Sequence, residues 1–204
     1  MTTANVYLID DQQAVREALA EMLRLFGYRV ESFASADAFL ARGATATAGC
    51  IVADVRMPGM DGIELVRELA RRRIALPVVL ISGHADVPMA VAAIKAGAED
   101  FIEKPIDDAQ LLAAINRCFA RALDSLPRDQ SLEDLRERFD RLTPRESEVM
   151  DLVVEGFTSA AIALRLGISQ RTVESYRVQI MEKMQAESVA VLVRRAIRLG
   201  RITP

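Results

Sequence analysis

The stretch CIVADVRMPGMDG, residues 50–62, indicates how the first part of the chain folds. Four apolar residues, Cys50 to Ala53, run into the carboxylate of Asp54, and a segment rich in turn-forming residues follows, with Pro58, Gly59 and Gly62. A short apolar run that ends in a turn is typical of a buried strand. We therefore predict a strand over residues 50–53 that delivers Asp54 to the edge of a sheet.

The same kind of run recurs along residues 1–122. Predicted strands cover Val6–Ile9, Arg29–Phe33, Cys50–Ala53, Val78–Ile81 and Asp100–Ile102. The segments between them carry apolar residues at helical spacing, and glycines such as Gly27 and Gly97 follow two of these stripes. Five strands alternating with five helices predict a doubly wound parallel sheet covered on both faces.

The pattern changes after residue 122. Residues 123–141 are highly charged and predict a linker with at most one short, solvated helix. Residues 142–204 predict a small all-α domain with helices near 144–155, 159–166, 170–185 and 189–199. The first of these starts at TPRE, where Thr143 is the expected N-cap, Pro144 the first helical residue and Glu146 the residue that reaches back to the cap.

Composition limits the class of protein. The chain of 204 residues is 51% hydrophobic and 27% charged, so it can bury a core. It contains no apolar run of about 18 residues and no export-type N-terminus, which predicts a cytoplasmic protein without membrane contact. The two cysteines, Cys50 and Cys118, lack metal-ligand spacing and are expected to be reduced core residues.

Polar side chains follow four of the predicted strands. Asp10 and Asp11 follow the first, Asp54 the third, Ser82 the fourth and Lys104 the fifth. Because ligands of open α/β sheets bind at the carboxyl ends of the strands, we expect these five side chains to form one site. Taken singly, each has an ordinary alternative, such as a helix N-cap for Asp10 or a solvated strand end for Lys104.

The chemistry of this predicted site favours phosphoryl transfer. Three close carboxylates repel one another and attract a hard cation such as Mg²⁺. With that charge held, Asp54 can act as a nucleophile towards phosphorus, while Lys104 and Ser82 bind the phosphoryl oxygens.

The segment 158–184 has the pattern of a helix-turn-helix. Gly167 marks the turn, Ser169 caps the second helix, and Val173 and Ile180 form its buried stripe. The candidate DNA contacts are Ser169, Arg171, Thr172, Ser175, Arg177, Gln179 and Lys183. From the pattern alone, a plain helical hairpin with a solvated face remains the alternative.

Four motifs carry a resemblance to a known family: DD at 10–11, DVRMPGMDG at 54–62, SGHADVPMAV at 82–91 and GAEDFIEKP at 97–105. Residues 1–122 resemble the receiver domain of two-component response regulators, with its flavodoxin-like fold. The whole chain resembles FixJ-type regulators of the NarL/LuxR class, which implies a LuxR-type helix-turn-helix over residues 142–204.

This resemblance implies roles for individual residues. Asp54 would accept phosphate from a sensor histidine kinase, and Ser82 and Phe101 would form the switch pair. Asp11 and Asp54 would bind Mg²⁺ directly, the Arg56 carbonyl would be a further ligand, and Asp10 would act through water. The peptide bond before Pro105 would be cis.

The resemblance also implies how the protein acts. Phosphorylation would turn Phe101 inward and promote a homodimer through a surface formed by Val91, Ile94, Lys95 and Glu103. The dimer would bind double-stranded promoter DNA, and RNA polymerase is a further expected partner. The chain departs from the family at Ala160, where a polar or basic residue is usual, and at Tyr176, where histidine is common.

Two other classes of protein could use a similar acid at the edge of a sheet. A phosphohydrolase of the haloacid dehalogenase type needs a second Asp two residues after the nucleophile, and this chain has Arg56 there. A metal-binding scaffold would not need Ser82 and Lys104. The sequence therefore predicts a regulator that catalyses only its own phosphorylation and dephosphorylation, with Arg56 and His84 near the phosphoryl group setting its lifetime.

Overall fold

A computed structural model of the protein describes residues 5–42, 49–83, 86–122 and 132–203, with the side chains of residues 120–122 left aside. The chain divides into two compact units. The first comprises Met1–His84 and Ala96–Pro127, and the second Ala85–Lys95 and Arg128–Pro204. This division differs from the predicted boundary at residue 122, because Ala85–Lys95 is grouped with the second unit.

The first unit is built on a parallel sheet of five strands. They are β1 (Asn5–Ile9), β2 (Arg29–Phe33), β3 (Gly49–Asp54), β4 (Val78–Ser82) and β5 (Asp100–Glu103). Their order in the sheet is β2-β1-β3-β4-β5, and all four neighbouring pairs are parallel. The order reverses direction between β1 and β3, which is where ligands bind in doubly wound sheets. The predicted fold class is confirmed.

Helices connect these strands. In the first unit they are α1 (Gln13–Leu25), α2 (Ala36–Ala41), α3 (Gly62–Arg71) and α5 (Asp108–Ala122). Every residue of β3 and β4 is buried, as expected for central strands covered on both faces. Cys50 and Cys118 are buried, free thiols in the core, as predicted.

Helices are the only regular secondary structure among the described residues of the second unit. It contains α4 (Val87–Lys95), α6 (Leu132–Asp140), α7 (Pro144–Glu155), α8 (Ser159–Leu166), α9 (Gln170–Lys183) and α10 (Val189–Arg198). The predicted start of α7 is confirmed, since Thr143 and Glu146 form a reciprocal capping box. Gly156 and Gly167 end α7 and α8 in the left-handed conformation, which glycine adopts readily.

Helix α6 differs from the expected solvated segment. Leu135 is completely buried, although seven of the residues around it between 133 and 141 are charged. Leu132, Leu135 and Phe139 recur at spacings of three and four residues, which places them on one face of a helix. The density of charge in this segment concealed a short apolar stripe, of which Leu135 is buried and Leu132 is 38% exposed.

Among the described residues, no helix is both long enough and apolar enough to span a membrane.

Candidate functional site

The carboxyl ends of three neighbouring strands bring polar groups into the first unit's interior. Asp10 follows β1, Asp54 ends β3 and Ser82 ends β4, and at most 5% of each residue is exposed. Burial of two carboxylates is costly unless each is paired or hydrogen-bonded. Their partners therefore define what the site can do.

Lys104, just after β5, provides the positive charge. Its Nζ lies 2.6 Å from Asp54 Oδ1 and 3.4 Å from Asp10 Oδ2. The lysine side chain is 23% exposed, so water reaches the group that links the two buried acids. Three strands separated widely along the chain thus supply a carboxylate–ammonium–carboxylate cluster, as the order of the sheet predicts.

Backbone amides hold the other carboxylate oxygens. The amide of Arg56 donates to Asp54 Oδ2 at 2.7 Å, and the amide of Gln12 donates to Asp10 Oδ1 at 2.8 Å. The guanidinium of Arg16 also donates to the Asp10 carbonyl oxygen at 2.6 Å. Because these bonds fix the orientation of both acids, Asp54 is presented in a defined direction before any ligand binds.

The environment shifts two pKa values in the cluster. Burial raises the pKa of Asp10, and the negative charge of Asp54 raises it further, although the Gln12 amide and Lys104 act in the opposite direction. Burial lowers the pKa of Lys104, but its hydrogen bond to Asp54 and the charges of both acids raise it overall. Lys104 is therefore a permanent cation that can bind phosphoryl oxygens.

The loop after Asp54 needs glycine at one position of close approach. A Cβ on Gly62 would lie 2.5 Å from the Asp54 carbonyl oxygen and 2.9 Å from Leu80 Cδ2. Gly59 also has a positive φ of 78°. These residues let α3 start directly against the end of β3, which explains the turn-rich sequence after Asp54.

The predicted Mg²⁺ ligands are only partly brought together. Asp10 and Asp54 share Lys104, whereas Asp11 is exposed, and the described residues contain no group of three His, Cys, Asp or Glu side chains placed to hold a metal ion. The donor chemistry nevertheless fits Mg²⁺, because the carboxylates of Asp10 and Asp54 share one lysine charge and offer hard oxygen ligands, and the carboxylate of Asp11 follows Asp10 directly in the chain. The Arg56 carbonyl stays a predicted ligand.

The predicted switch pair is buried in this structure. Ser82 is fully buried and Phe101 is 6% exposed. Phe101 is thus already buried in this conformation, and its movement on phosphorylation stays a prediction. The peptide bond between Lys104 and Pro105 is cis, as expected. His84, the other predicted influence on phosphate lifetime, lies outside the described residues.

In the second unit, α8 and α9 form the predicted helix-turn-helix. The amide of Thr172 donates to Ser169 Oγ at 3.1 Å, which confirms Ser169 as the N-cap of α9. Val173 and Ile180 are buried, and Arg171, Ser175 and Gln179 are exposed on other faces. Thr172 is half-buried, and its Oγ1 lies 2.7 Å from Ser169 Oγ, so both hydroxyls already bind locally.

Two predicted DNA contacts have partners inside the protein. Lys183 Nζ lies 2.7 and 2.6 Å from the two carboxylate oxygens of Glu146, a residue only 2% exposed. Arg177 donates to Ser159 Oγ at 2.9 Å, and burial lowers its pKa although Glu174 raises it. Both cations therefore fix α9 to its neighbours, and direct phosphate contact by either stays a prediction.

Sequence reasoning missed two features of this region. Glu146 was identified only as a capping residue, because nothing in its spacing indicates a partner 37 residues later. Val178 was not singled out, although it is 68% exposed on α9. Its place seven residues after Arg171, on the side opposite Val173, could have revealed it.

The predicted dimer surface is not exposed as a whole. Val91 and Ile94 are 2% and 4% exposed, whereas Lys95 is half-buried and Glu103 is exposed. In this conformation the four residues therefore do not form one exposed surface, and their part in a dimer stays a prediction. The reason is that the apolar side of α4 packs within the second unit, against α7 and α10.

Comparison with known proteins gives both units a family. Residues 6–116 match the response regulator receiver domain, and residues 140–196 match the luxR family of bacterial regulatory proteins. The chain is 45% identical to the transcriptional regulatory protein FixJ of Azorhizobium caulinodans over 96% of this chain and 92% of that protein. It is 44% identical to FixJ of Rhizobium meliloti over 98% of each.

A solved structure supports the same relationship over the full length. The crystal structure of full-length FixJ from B. japonicum is 40% identical, covers 100% of both chains and has a TM-score of 0.58. The paired matches, the five-stranded parallel sheet and the helix-turn-helix agree with one another. The chain belongs to the FixJ-type response regulators, transcriptional regulatory proteins that join a receiver domain to a LuxR-type DNA-binding domain.

Proposed function

We propose that Asp54 accepts a phosphoryl group from the phosphohistidine of a sensor kinase, and that this phosphorylation controls dimerisation and promoter binding. The observation that carries the proposal is the contact of Lys104 Nζ with Asp54 Oδ1 at 2.6 Å, beside buried Asp10. A carboxylate at a strand end, held next to a cation and oriented by a backbone amide, matches the demands of phosphoryl transfer.

In this reaction an Asp54 carboxylate oxygen attacks phosphorus. A P–O bond forms as the P–N bond to the kinase histidine breaks, and the released imidazole takes up a proton. Lys104 binds an oxygen of the transferred group, and Ser82 binds a second oxygen. Asp10, Asp11 and Asp54 would hold Mg²⁺, which, when bound, neutralises charge on the phosphoryl oxygens. The backbone amide of Arg56 keeps Asp54 oriented throughout.

Labelling with a small phosphodonor tests the receiver step. Wild-type protein in acetyl phosphate and Mg²⁺ should acquire one phosphoryl group, measured by intact mass, and Asp54→Asn should acquire none. Asp61→Asn is the matched control, because Asp61 lies in the same loop and caps α3 by accepting from the Glu64 amide at 2.7 Å, which an asparagine can also do. Equal labelling of Asp54→Asn and wild type would refute the assignment.

The output step is dimerisation followed by binding to paired half-sites in duplex DNA. Residues 142–204 contain nine Lys and Arg against seven Asp and Glu, so one helix-turn-helix should bind DNA weakly. Tethering two copies makes the second contact intramolecular. Because Val91 and Ile94 are buried, their part in a dimer would require α4 to change its surroundings. Sedimentation with and without beryllofluoride tests the coupling. The same mass and the same DNA affinity in both conditions would refute it.

The receiver is not proposed to act on other substrates. The receiver would catalyse only its own phosphorylation and the loss of that phosphate to water, with Arg56 and His84 influencing the second rate. The protein would act in the cytoplasm. At the promoter, RNA polymerase would be a further partner.

A further inference from the structure

One exposed apolar side chain stands on the outer face of α9. Val173 and Ile180, seven residues apart, are buried and mark the inner face of the helix. At 3.6 residues per turn, Arg171, Ser175 and Val178 fall on the opposite side. Val178 is 68% exposed there, next to polar neighbours. A single exposed valine is ordinary on a protein surface, but this one lies on the outer face of the second helix of a helix-turn-helix, the helix that such motifs place in the major groove.

The properties of valine suit it to this place. A β-branched side chain in a helix occupies one χ1 rotamer about nine times in ten, so its two methyl groups point in a nearly fixed direction. Little rotamer freedom is then lost when the side chain contacts a ligand. The neighbouring polar groups are partly committed, since Ser175 Oγ donates to the Arg171 carbonyl at 3.1 Å and Gln170 Nε2 donates to Glu174 at 3.0 Å.

The major groove offers one apolar partner. Among the groups that base pairs display there, only the C5-methyl of thymine is apolar, and side-chain methyl groups are its usual contacts. Such a contact excludes water from the thymine methyl group and from the valine methyl group that touches it. It distinguishes thymine from the other bases without a hydrogen bond. Cytosine, adenine or guanine would instead place a polar edge against Val178, and the polar groups of that edge would lack a hydrogen-bond partner.

We propose that Val178 reads a thymine methyl group in each half-site and is a specificity-determining residue of this protein. The inference rests on the proposed DNA-binding function and deepens it, because it names the base and the chemical group that are recognised. It also predicts that affinity at this position depends on a single methyl group.

Replacing thymidine by deoxyuridine removes only that methyl group and provides the test. Sites are first selected from randomised duplexes with the full-length protein in acetyl phosphate and Mg²⁺. Each thymine of the enriched site is then replaced in turn, and the dissociation constant is measured. For the wild type, one replacement per half-site should weaken binding about four-fold, the effect of losing one buried methyl group.

The variant Val178→Ala should lose this sensitivity at that one position and keep the responses at all others. Val178→Thr, which retains one methyl group, should keep part of it. Leu25→Ala truncates another exposed apolar residue, 82% exposed on α1, and should leave the whole pattern unchanged. Because Val178 is exposed and alanine favours helices, the variant should fold.

The outcomes separate the two proposals. An enriched site in which no thymine responds to deoxyuridine, or in which Val178→Ala responds as the wild type does, would overturn the inference and leave DNA binding intact. If no sequence is enriched at all, the proposed DNA-reading function fails, and this inference fails with it.

Discussion

The pair formed by Glu146 and Lys183 should respond unequally to removal of its two members. Glu146 is 2% exposed in its side chain, whereas Lys183 is 34% exposed. If the lysine is removed, the buried carboxylate keeps its hydrogen bonds to Thr143, among them the bond from the amide at 2.6 Å. If the carboxylate is neutralised, the ammonium can turn towards water. We therefore expect Lys183→Met to destabilise the second unit more than Glu146→Gln does.

The magnitudes follow from these exposures. Breaking a fully buried ion pair costs about 3 to 5 kcal/mol. Because Lys183 is partly solvated and Glu146 retains its cap bond, Lys183→Met should cost about 2 to 3 kcal/mol. Glu146→Gln keeps an acceptor for the Thr143 amide and loses only charge, so about 1 kcal/mol is expected. The double variant should be more stable than Lys183→Met alone.

The dependence on pH gives a second criterion. Burial raises the pKa of Glu146, but Lys183 and the Thr143 amide together lower it by more than burial raises it. The net shift of the Glu146 pKa is therefore downward. A lowered carboxyl pKa contributes stability above its unfolded value, about 4.3, which is lost as pH falls through the folded value. Without Lys183, only the hydrogen bonds to Thr143 oppose the effect of burial, so the downward shift of the Glu146 pKa becomes smaller. The gap between wild type and Lys183→Met should therefore shrink as the solution is acidified.

Hydrogen exchange measured by mass spectrometry suits this protein, because two units need not unfold in one transition. Peptides from α7 and α9 of the full-length protein report the local free energy of opening at pH 7 and at lower pH. Arg145→Met is the matched control, since its bond to Glu148 at 2.6 Å lies on an exposed helix surface. Equal costs for the two single variants, or a gap unaffected by pH, would refute the reasoning.

Three further predictions concern other groups. Because the pKa of Asp10 is raised, its ionised form opposes folding, so Asp10→Asn should raise the melting temperature at pH 8 and lose this gain as pH falls through the folded pKa; a lower melting temperature at pH 8 would contradict this. Gly62→Ala should cost about 1 to 3 kcal/mol in thermal unfolding, because its Cβ would lie 2.5 Å from the carbonyl oxygen that ends β3. Gly83→Ala, whose nearest neighbour would be 3.8 Å away, should be nearly neutral, and equal losses would refute the steric argument. Arg177→Ala and Ser159→Ala should each speed exchange in α8, at about 1 kcal/mol, and the double variant should add little. Fully additive effects would show that the two side chains act independently.

The sheet and its site could be predicted because both follow from short-range pattern. Apolar runs of strand length predicted the strands. Because the carboxyl ends of parallel strands lie at one edge of the sheet, the strands in turn predicted that Asp10, Asp54, Ser82 and Lys104 lie close together. Spacing could not show that Lys104 lies between Asp10 and Asp54, since that depends on three-dimensional side-chain packing. The pattern also missed the burial of Leu135, Val91 and Ile94. The sequence of an amphipathic segment shows which face is apolar, but it does not show which other element packs against that face.

The internal partners of Arg177 and Lys183 bear on how the helix-turn-helix could bind DNA. One cation fixes the middle of α9 to the start of α8, and the other fixes its end to the start of α7. Both bonds leave the side chains of Arg171, Ser175 and Val178 exposed. A helix held at two points loses little freedom when it enters a groove, so less of the contact energy is spent on ordering. Arg177 and Lys183 would therefore support DNA affinity by holding α9 in position. They should add less to the salt dependence of binding than lysines or arginines without an internal partner would.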